Sequence, residues 1–348
     1  MKTAIITGVA GQDGFFLSKL LIEKGYEVHG IARRNSTMHL GNLEKMDEEI
    51  RKKIIIHWGD ITDHAFLDEL IRKIQPDELY HLAAQSFVFL SFSNPKNTYD
   101  ANIGGTLNVA NAVKTYSPKT KVYFAATSEL FGKTTVSPQT EETPFYPRSP
   151  YGVSKLAAFW TMKNYRESYN LFMSNGILFN HESEVRGEEF VTRKIAIAAV
   201  KIANGKQEFL ELGNIDAKRD WGYAKEYVNA MWMMLQQDKS DDYIIATNEI
   251  HSIREFVEEC FRVLGIDIKW SGSGVDEKGI DTKTGKVIVK INPDFFRPAD
   301  VESIVGDYSK AKKAFGWEPK VKFKELVKLM VESEIKNQKK INSLPIIN

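Results

Sequence analysis

Over the first 130 residues, short apolar runs alternate with amphipathic stretches, and their order predicts strand, helix, strand, helix. KTAIIT (Lys2 to Thr7) is rich in branched residues and lacks polar alternation, as a strand buried on both faces requires. FFLSKLLIEKGY continues at helical spacing. EVHGIARRNS, IIIHWGDITD, DELYHLAAQS and KVYFAATSE repeat the strand signature, with a long helix predicted from Thr98 to Tyr116 before the last of them. This alternation demands a parallel, doubly wound α/β sheet. PFYPRSPYGVSK reads as a proline-rich loop entering a helix at Tyr151, and GILFNHES as a further strand.

Past about residue 185 the rhythm changes. FVTRKIAIAAVKIANGK reads as a helix. A strand, a polar turn carrying Lys218, Arg219 and Asp220, and a helix ending in MWMML come next. SIREFVEECFRVLG is another helix, and Ser271 to Lys286 reads as a loop or hairpin. The residues after Glu334 are expected to form a loose tail. The change of rhythm predicts a first domain over 1–180 with parts of about 215–250. A smaller α/β domain takes about 181–214 and 251–335, leaving 336–348 as the tail.

Composition narrows the function classes. Lys+Arg 47 against Asp+Glu 46 leaves a net charge of +1, so no global field draws in nucleic acid and any anion is held by local groups. The single cysteine, Cys260, has no intrachain disulfide partner and reads as a buried thiol. No stretch of about 18 apolar residues suggests a membrane span, and the expectation is a soluble, cytoplasmic protein without a metal site.

The candidate chemistry gathers at the predicted strand ends. GVAGQDG supplies Gly8, Gly11 and Gly14 between the first strand and helix, where glycines let the backbone approach a pyrophosphate and the helix N-terminus offers N–H groups. This is the dinucleotide fingerprint of a Rossmann sheet. At the end of the second strand, Arg33 and Arg34 stand where NAD sites commonly carry an acid. Two guanidinium groups suit a 2′-phosphate, which favours NADP. Asp60 ends the third strand within reach of an adenine or as a helix cap. Ala83 and Ala84 keep the end of the fourth strand small. The fifth strand ends in Thr127, Ser128 and Glu129, and Tyr151 and Lys155 lie one helical turn apart, where an ammonium beside a phenol favours the phenolate. His181, on a later strand end, reads on its own as a satisfied core residue. Arg193 and Lys194 near a helix start suggest an anionic ligand.

Together, TGVAGQDG, TSELFG, PFYPRSPYGVSK, ILFNHES, FVTRKI and LGNIDAKRDWG resemble the extended short-chain dehydrogenase/reductase family, closest to its GDP-mannose 4,6-dehydratase branch. The resemblance covers nearly the whole chain. It implies a cofactor domain and a smaller nucleotide-sugar domain with the site between them. NADP would contact Gly8, Gly11, Gln12, Asp13, Gly14, Arg33, Arg34, Asp60, Ile61, Ala83, Ala84, Tyr151, Lys155 and His181. The GDP-sugar would meet Gln85, Ser86, Asn180, Lys194, Arg219, Arg297 and Glu302. Tyr151, helped by Thr127, Ser128 and Lys155, would take the proton from the sugar 4-hydroxyl, and Glu129 would serve the elimination of water across carbons 5 and 6. The resemblance also implies a homo-oligomer, with a tetramer favoured over a dimer.

Several positions depart from the branch pattern: Phe87 stands for His, Phe131 for Tyr, Tyr223 for His, and ESEVRG for ESPRRG. The Phe87 and Phe131 changes remove polar groups from loops near the expected sugar site. They tilt the choice from GDP-D-mannose toward GDP-D-glycero-manno-heptose without closing it. An epimerase or reductase on the same scaffold would commonly lack the carboxylate of Glu129, and a non-catalytic NADP-binding protein would have no use for an intact Tyr151, Lys155 and Glu129.

Overall fold

A computed structural model describes residues 1–296 and 303–343, with side chains through residue 339. Eleven strands are needed to locate the site: β1 (Thr3–Thr7), β2 (Glu27–Ala32), β3 (Ile54–Trp58), β4 (Glu78–His81), β5 (Lys121–Ala125), β6 (Met173–Leu178), β7 (Asn180–Glu182), β8 (Leu210–Leu212), β9 (Lys218–Arg219), β10 (Trp221–Tyr223) and β11 (Asp242–Ile245). Seven form one parallel sheet in the order β11-β6-β5-β4-β1-β2-β3. Side-chain alternation feeds two cores. Ile5, Leu79, Val122 and Phe124 pack on one face, while Ala4, Ile6, Tyr80 and Tyr123 pack on the other. The doubly wound fold expected from the sequence is therefore present. Between β1 and β4 the winding direction reverses, which opens a crevice at the strands' carboxyl ends.

A third core unites the helices Val191–Ala203, Ile253–Val263 and Phe323–Ser343, with Ile195, Phe256, Cys260 and Met330 fully buried among them. The Ile253–Val263 helix starts from a capping box in which Ser252 and Glu255 satisfy each other's backbone N–H groups. β8 belongs to a four-stranded sheet with Ile268–Ser271, Lys278–Asp281 and Val287–Ile291, so the Ser271 to Lys286 stretch is largely hairpin. β7 pairs with β10 in parallel, and β9 pairs with His251–Ser252 and Ser303–Ile304.

Two local expectations change. Lys218 and Arg219 form a strand rather than a polar turn, and Asp220 beside them is buried. Its carboxylate accepts from Thr247 N (2.8 Å), Thr247 Oγ1 (2.7 Å), Asn248 N (3.0 Å) and Gly306 N (3.3 Å), although burial still lifts its pKa to about 6. Residues after Glu334 continue the last helix to Ser343 instead of fraying there, and the rest of the expected tail, 344–348, lies outside the described residues. The anchor is a buried ion pair, Arg193 Nη2 to Glu334 Oε2 at 2.8 Å.

Candidate active site

The crevice is a single cleft of about 1510 Å³, larger than the roughly 300–1,000 Å³ typical for one small ligand and large enough for two. At one end the glycine turn has a steric reason. Gly8 has φ +72°, and a Cβ there would lie 2.9 Å from the Ala83 Cα. A Cβ at Gly14 would lie 2.3 Å from the Val9 carbonyl oxygen. The following helix, Gln12–Glu23, begins without a side-chain cap, which leaves its first N–H groups available to an anion. This bare, Cβ-free cradle fits the pyrophosphate of a dinucleotide.

Arg33 and Arg34 are exposed on the cleft rim and form no ion pair among the described residues. Asp60 accepts from Thr62 N and Thr62 Oγ1, both at 2.9 Å, while Asp63 caps the next helix. Asp60 therefore makes its own turn rather than the cap. Ile61 lines the cleft, with its side chain against Gly105. Ala84 and Ser86 also line it. Gln85 lines the wall but spends its side chain on the loop: Nε2 donates to Thr98 Oγ1 (2.9 Å) and Oε1 accepts from Phe87 N (2.6 Å).

At the centre, Thr127, Glu129, Tyr151 and Lys155 share the cleft wall. Ser128, 3% exposed, lies behind it. Ser149 caps the Pro150–Tyr169 helix and sets the projection of Tyr151 and Lys155. Lys155 Nζ donates to the Ala125 carbonyl at 2.7 Å, and burial draws its pKa down to about 7. The expected phenolate is not what the ligand-free geometry favours. Burial, with the Glu129 carboxylate nearby, pushes Tyr151 up to about 12 against the hydrogen bond from Thr127. The ammonium faces a carbonyl rather than the phenol.

His181 lines the cleft and is held on both sides. Nδ1 is 2.8 Å from the Phe179 carbonyl and Nε2 is 3.0 Å from Asp13 Oδ2, while the ring stacks on Tyr227 at 4.7 Å. Burial works against the imidazolium, but the Asp13 carboxylate holds the His181 pKa above its ordinary value. Gln12 joins this seam, donating to the His181 carbonyl (3.0 Å) and accepting from Ser183 Oγ (2.6 Å). Asp13 and Gln12 thus fasten the first helix to β7.

At the far end, Asn180, Lys194 and Arg219 line the same cleft. Lys194 Nζ sits 4.0 Å over the Phe295 ring, and Arg219 Nη1 donates to the Lys218 carbonyl at 2.8 Å. Arg193, expected to share an anion-binding role, turns away to Glu334. Arg297 and Glu302 lie outside the described residues. Arg186 was not singled out by the sequence. It lines the cleft 3.6 Å over the Phe190 ring, with Nε 3.2 Å from Glu182 Oε2. Only the departure of ESEVRG from the branch pattern marked that segment. Phe87 is a cleft residue, edge-on to Phe190 at 5.9 Å, whereas Phe131 is fully buried against Phe145 and Phe179 and does not shape the pocket.

An open sheet with a glycine cradle at its reversal, and a tyrosine and lysine on a capped helix facing it, is the framework of an extended short-chain dehydrogenase/reductase. Solved structures share that fold. A UDP-glucose 4-epimerase from Thermotoga maritima superposes with a TM-score of 0.80 at 24% identity, covering 97% of this chain and 99% of the other. A Bacillus anthracis dTDP-glucose 4,6-dehydratase in complex with NAD gives 0.79 at 22% identity, covering 97% and 98%. Within the class, the family described as GDP-mannose 4,6 dehydratase matches residues 5–330, and this chain belongs to it. GDP-mannose 4,6 dehydratases of Drosophila melanogaster and Homo sapiens are each 49% identical, over 97% and 96% of this chain and 87% and 91% of their own lengths. One from Sinorhizobium fredii is 48% identical over 96% of this chain and 97% of its own.

Proposed function

We propose that the chain is a GDP-sugar 4,6-dehydratase that converts a GDP-manno-sugar to its 4-keto-6-deoxy product with NADP held throughout. The observation that carries this reading is Glu129. A simple alcohol oxidation has no use for it, yet the carboxylate sits on the cleft wall close enough to Tyr151 to raise its pKa. A bound nicotinamide supplies reversible hydride acceptance, which internal redox chemistry requires. In the proposed sequence Tyr151 takes the proton of the sugar 4-hydroxyl, with the Thr127 hydroxyl stabilising the phenolate that is otherwise disfavoured. Lys155, anchored on the Ala125 carbonyl, adds positive charge to the same cleft wall. Glu129 then removes the carbon 5 proton, acidified by the new 4-ketone, and returns it to the departing 6-hydroxyl, which leaves as water. The hydride taken from carbon 4 would return to carbon 6 and the proton held by Tyr151 to carbon 5, closing the sequence at the 4-keto-6-deoxy sugar. Arg33 and Arg34 hold the 2′-phosphate, and Lys194 and Arg219 face the GDP diphosphate and ribose.

The names of the relatives support GDP-D-mannose as substrate. Phe87 supports a second reading, GDP-D-glycero-manno-heptose, because its ring gives the pocket an apolar wall suited to one more carbon. We also propose a cofactor domain and a nucleotide-sugar domain meeting at the cleft, and a cytoplasmic homo-oligomer, with a tetramer favoured. Among the described residues no helix is long and apolar enough to cross a membrane.

The test is mass spectrometry after parallel incubation with the two GDP-sugars, without added NADPH. A product lighter by one water is expected. An isomer of unchanged mass would identify an epimerase, and no turnover of either sugar would leave only dinucleotide binding.

A further inference from the structure

Beneath the cleft lies a buried polar chain that the proposed chemistry does not use. Thr7 Oγ1 is 2.8 Å from His81 Nδ1, His81 Nε2 is 3.0 Å from Thr106 Oγ1, and Thr106 Oγ1 is 2.6 Å from the Asn102 carbonyl. Thr7, His81, Thr106 and Asn102 are all at most 2% exposed. The proton positions follow from counting donors. A carbonyl only accepts, so the Thr106 hydroxyl donates to Asn102. Thr106 Oγ1 must then accept from His81 Nε2–H, and Nδ1 carries the lone pair that takes the Thr7 hydrogen. Thr7 Oγ1 in turn accepts from Leu82 N (3.1 Å) and Ala83 N (3.0 Å). Every bond in the chain points one way. A second proton on His81 would take away the acceptor that the Thr7 hydrogen needs.

The two ends of the chain matter. Thr7 immediately precedes Gly8, and Ala83 is the backbone against which Gly8 packs. Asn102 lies in a π-helical turn, Asp100–Gly104, a local widening that re-aims side chains. Its amide accepts from Gln85 N (2.8 Å) and donates to the Gln85 carbonyl (3.1 Å) and to Ser154 Oγ (2.9 Å). Ser154 donates to the Tyr151 carbonyl at 2.7 Å. One hydrogen-bonded line therefore runs from the glycine cradle to the helix that carries Tyr151 and Lys155.

We propose that His81, as the neutral Nε2–H tautomer, and Thr106 are positioning residues that set the Tyr151–Lys155 helix in register with the glycine cradle. The inference rests on the dehydratase reading only for its turnover assay. If the parent turns over no GDP-sugar, that reading fails while the tautomer measurement still decides this one.

Three variants and one spectroscopic measurement test it. Thr106→Val keeps the shape and removes the hydroxyl, so turnover at 15 °C in fully folded protein is expected to fall at least tenfold with GDP affinity within twofold of the parent. Thr106→Ser restores the hydroxyl and most of the rate. Val109→Ala, a cavity in the same helix outside the chain, serves as a control that lowers stability while keeping turnover within twofold. Equal loss in Val109→Ala, or parent-like turnover in Thr106→Val, overturns the proposal. Independently, ¹⁵N shifts of the parent's histidines are expected to show His81 protonated at Nε2 and bare at Nδ1 from pH 5 to 9. Titration near the ordinary histidine value, or the opposite tautomer, would also overturn it.

Discussion

Glu334 offers the sharpest test of how the far side of the cleft is held. Its carboxylate meets Arg193 at 2.8 Å, with the two side chains only 8% and 5% exposed. Among the described residues, Arg193 Nε and Nη1 find no hydrogen-bond partner, so there the guanidinium depends on its contact with Glu334. Glu334→Ala leaves a buried, uncompensated cation, which costs about 3–5 kcal/mol. That is a large share of the roughly 5–15 kcal/mol that separates folded from unfolded domains. Replacing both partners, as Arg193→Leu with Glu334→Leu, removes the charge problem and should return stability to within about 1–2 kcal/mol of the parent. Urea unfolding followed by tryptophan fluorescence reads both. Lys194 adjoins Arg193 on the same helix, so the single variant should also weaken GDP binding under folding conditions. A loss below about 1 kcal/mol in Glu334→Ala, or a double variant as unstable as the single, would refute the argument that paired charge holds these helices together.

Further outcomes follow from the cleft. Glu129→Gln should retain dinucleotide and GDP binding and lose dehydration by about 10²–10⁴-fold, and full activity in steady-state assays would remove Glu129 from the elimination. Arg33→Ser with Arg34→Ser should weaken NADP binding by about 100-fold or more and leave NAD binding unchanged by calorimetry, since two charge-assisted hydrogen bonds contribute about 1.5–3 kcal/mol each. Gly14→Ala should abolish dinucleotide binding, because its Cβ would sit 2.3 Å from the Val9 oxygen; unchanged affinity would mean that the turn is softer than its contacts imply. Burial holds Lys155 near 7 when folded against 10.5 ordinarily, so between those values the unfolded chain binds a proton that the folded chain lacks. Ligand-free stability, taken relative to Lys155→Met, should therefore rise with pH from 7 toward 10 by about 1.4 kcal/mol per unit, and a flat difference between pH 7.5 and 9.5 would contradict the shift.

Much of this arrangement was legible in advance, because alternation of buried strands and amphipathic helices leaves few topologies and a glycine cradle has a steric cause. What escaped was direction and distance. Arg193 and Lys194 are neighbours in sequence, yet consecutive helical positions point about 100° apart, so one enters the cleft and the other the third core. Phe87 and Phe131 looked alike as substitutions, and only packing separates a wall residue from a core residue. Asp13 and His181 are 168 positions apart, and no local pattern announces that they pair. The phenol of Tyr151 looked activated by its spacing from Lys155, but the ammonium found a carbonyl first. Arg186 sits in a segment with neither helical nor strand period, where pattern reading has little purchase.

The loneliness of Arg33 and Arg34 has an evolutionary corollary. Among the described residues these side chains brace nothing, so on the proposed reading they can be exchanged without harm to folding, and preference between the two common nicotinamide carriers could change at little structural cost. The glycines a few ångströms deeper have no such liberty. On the proposed reading, selectivity is written in the outermost layer, and the capacity to bind at all is written in the backbone.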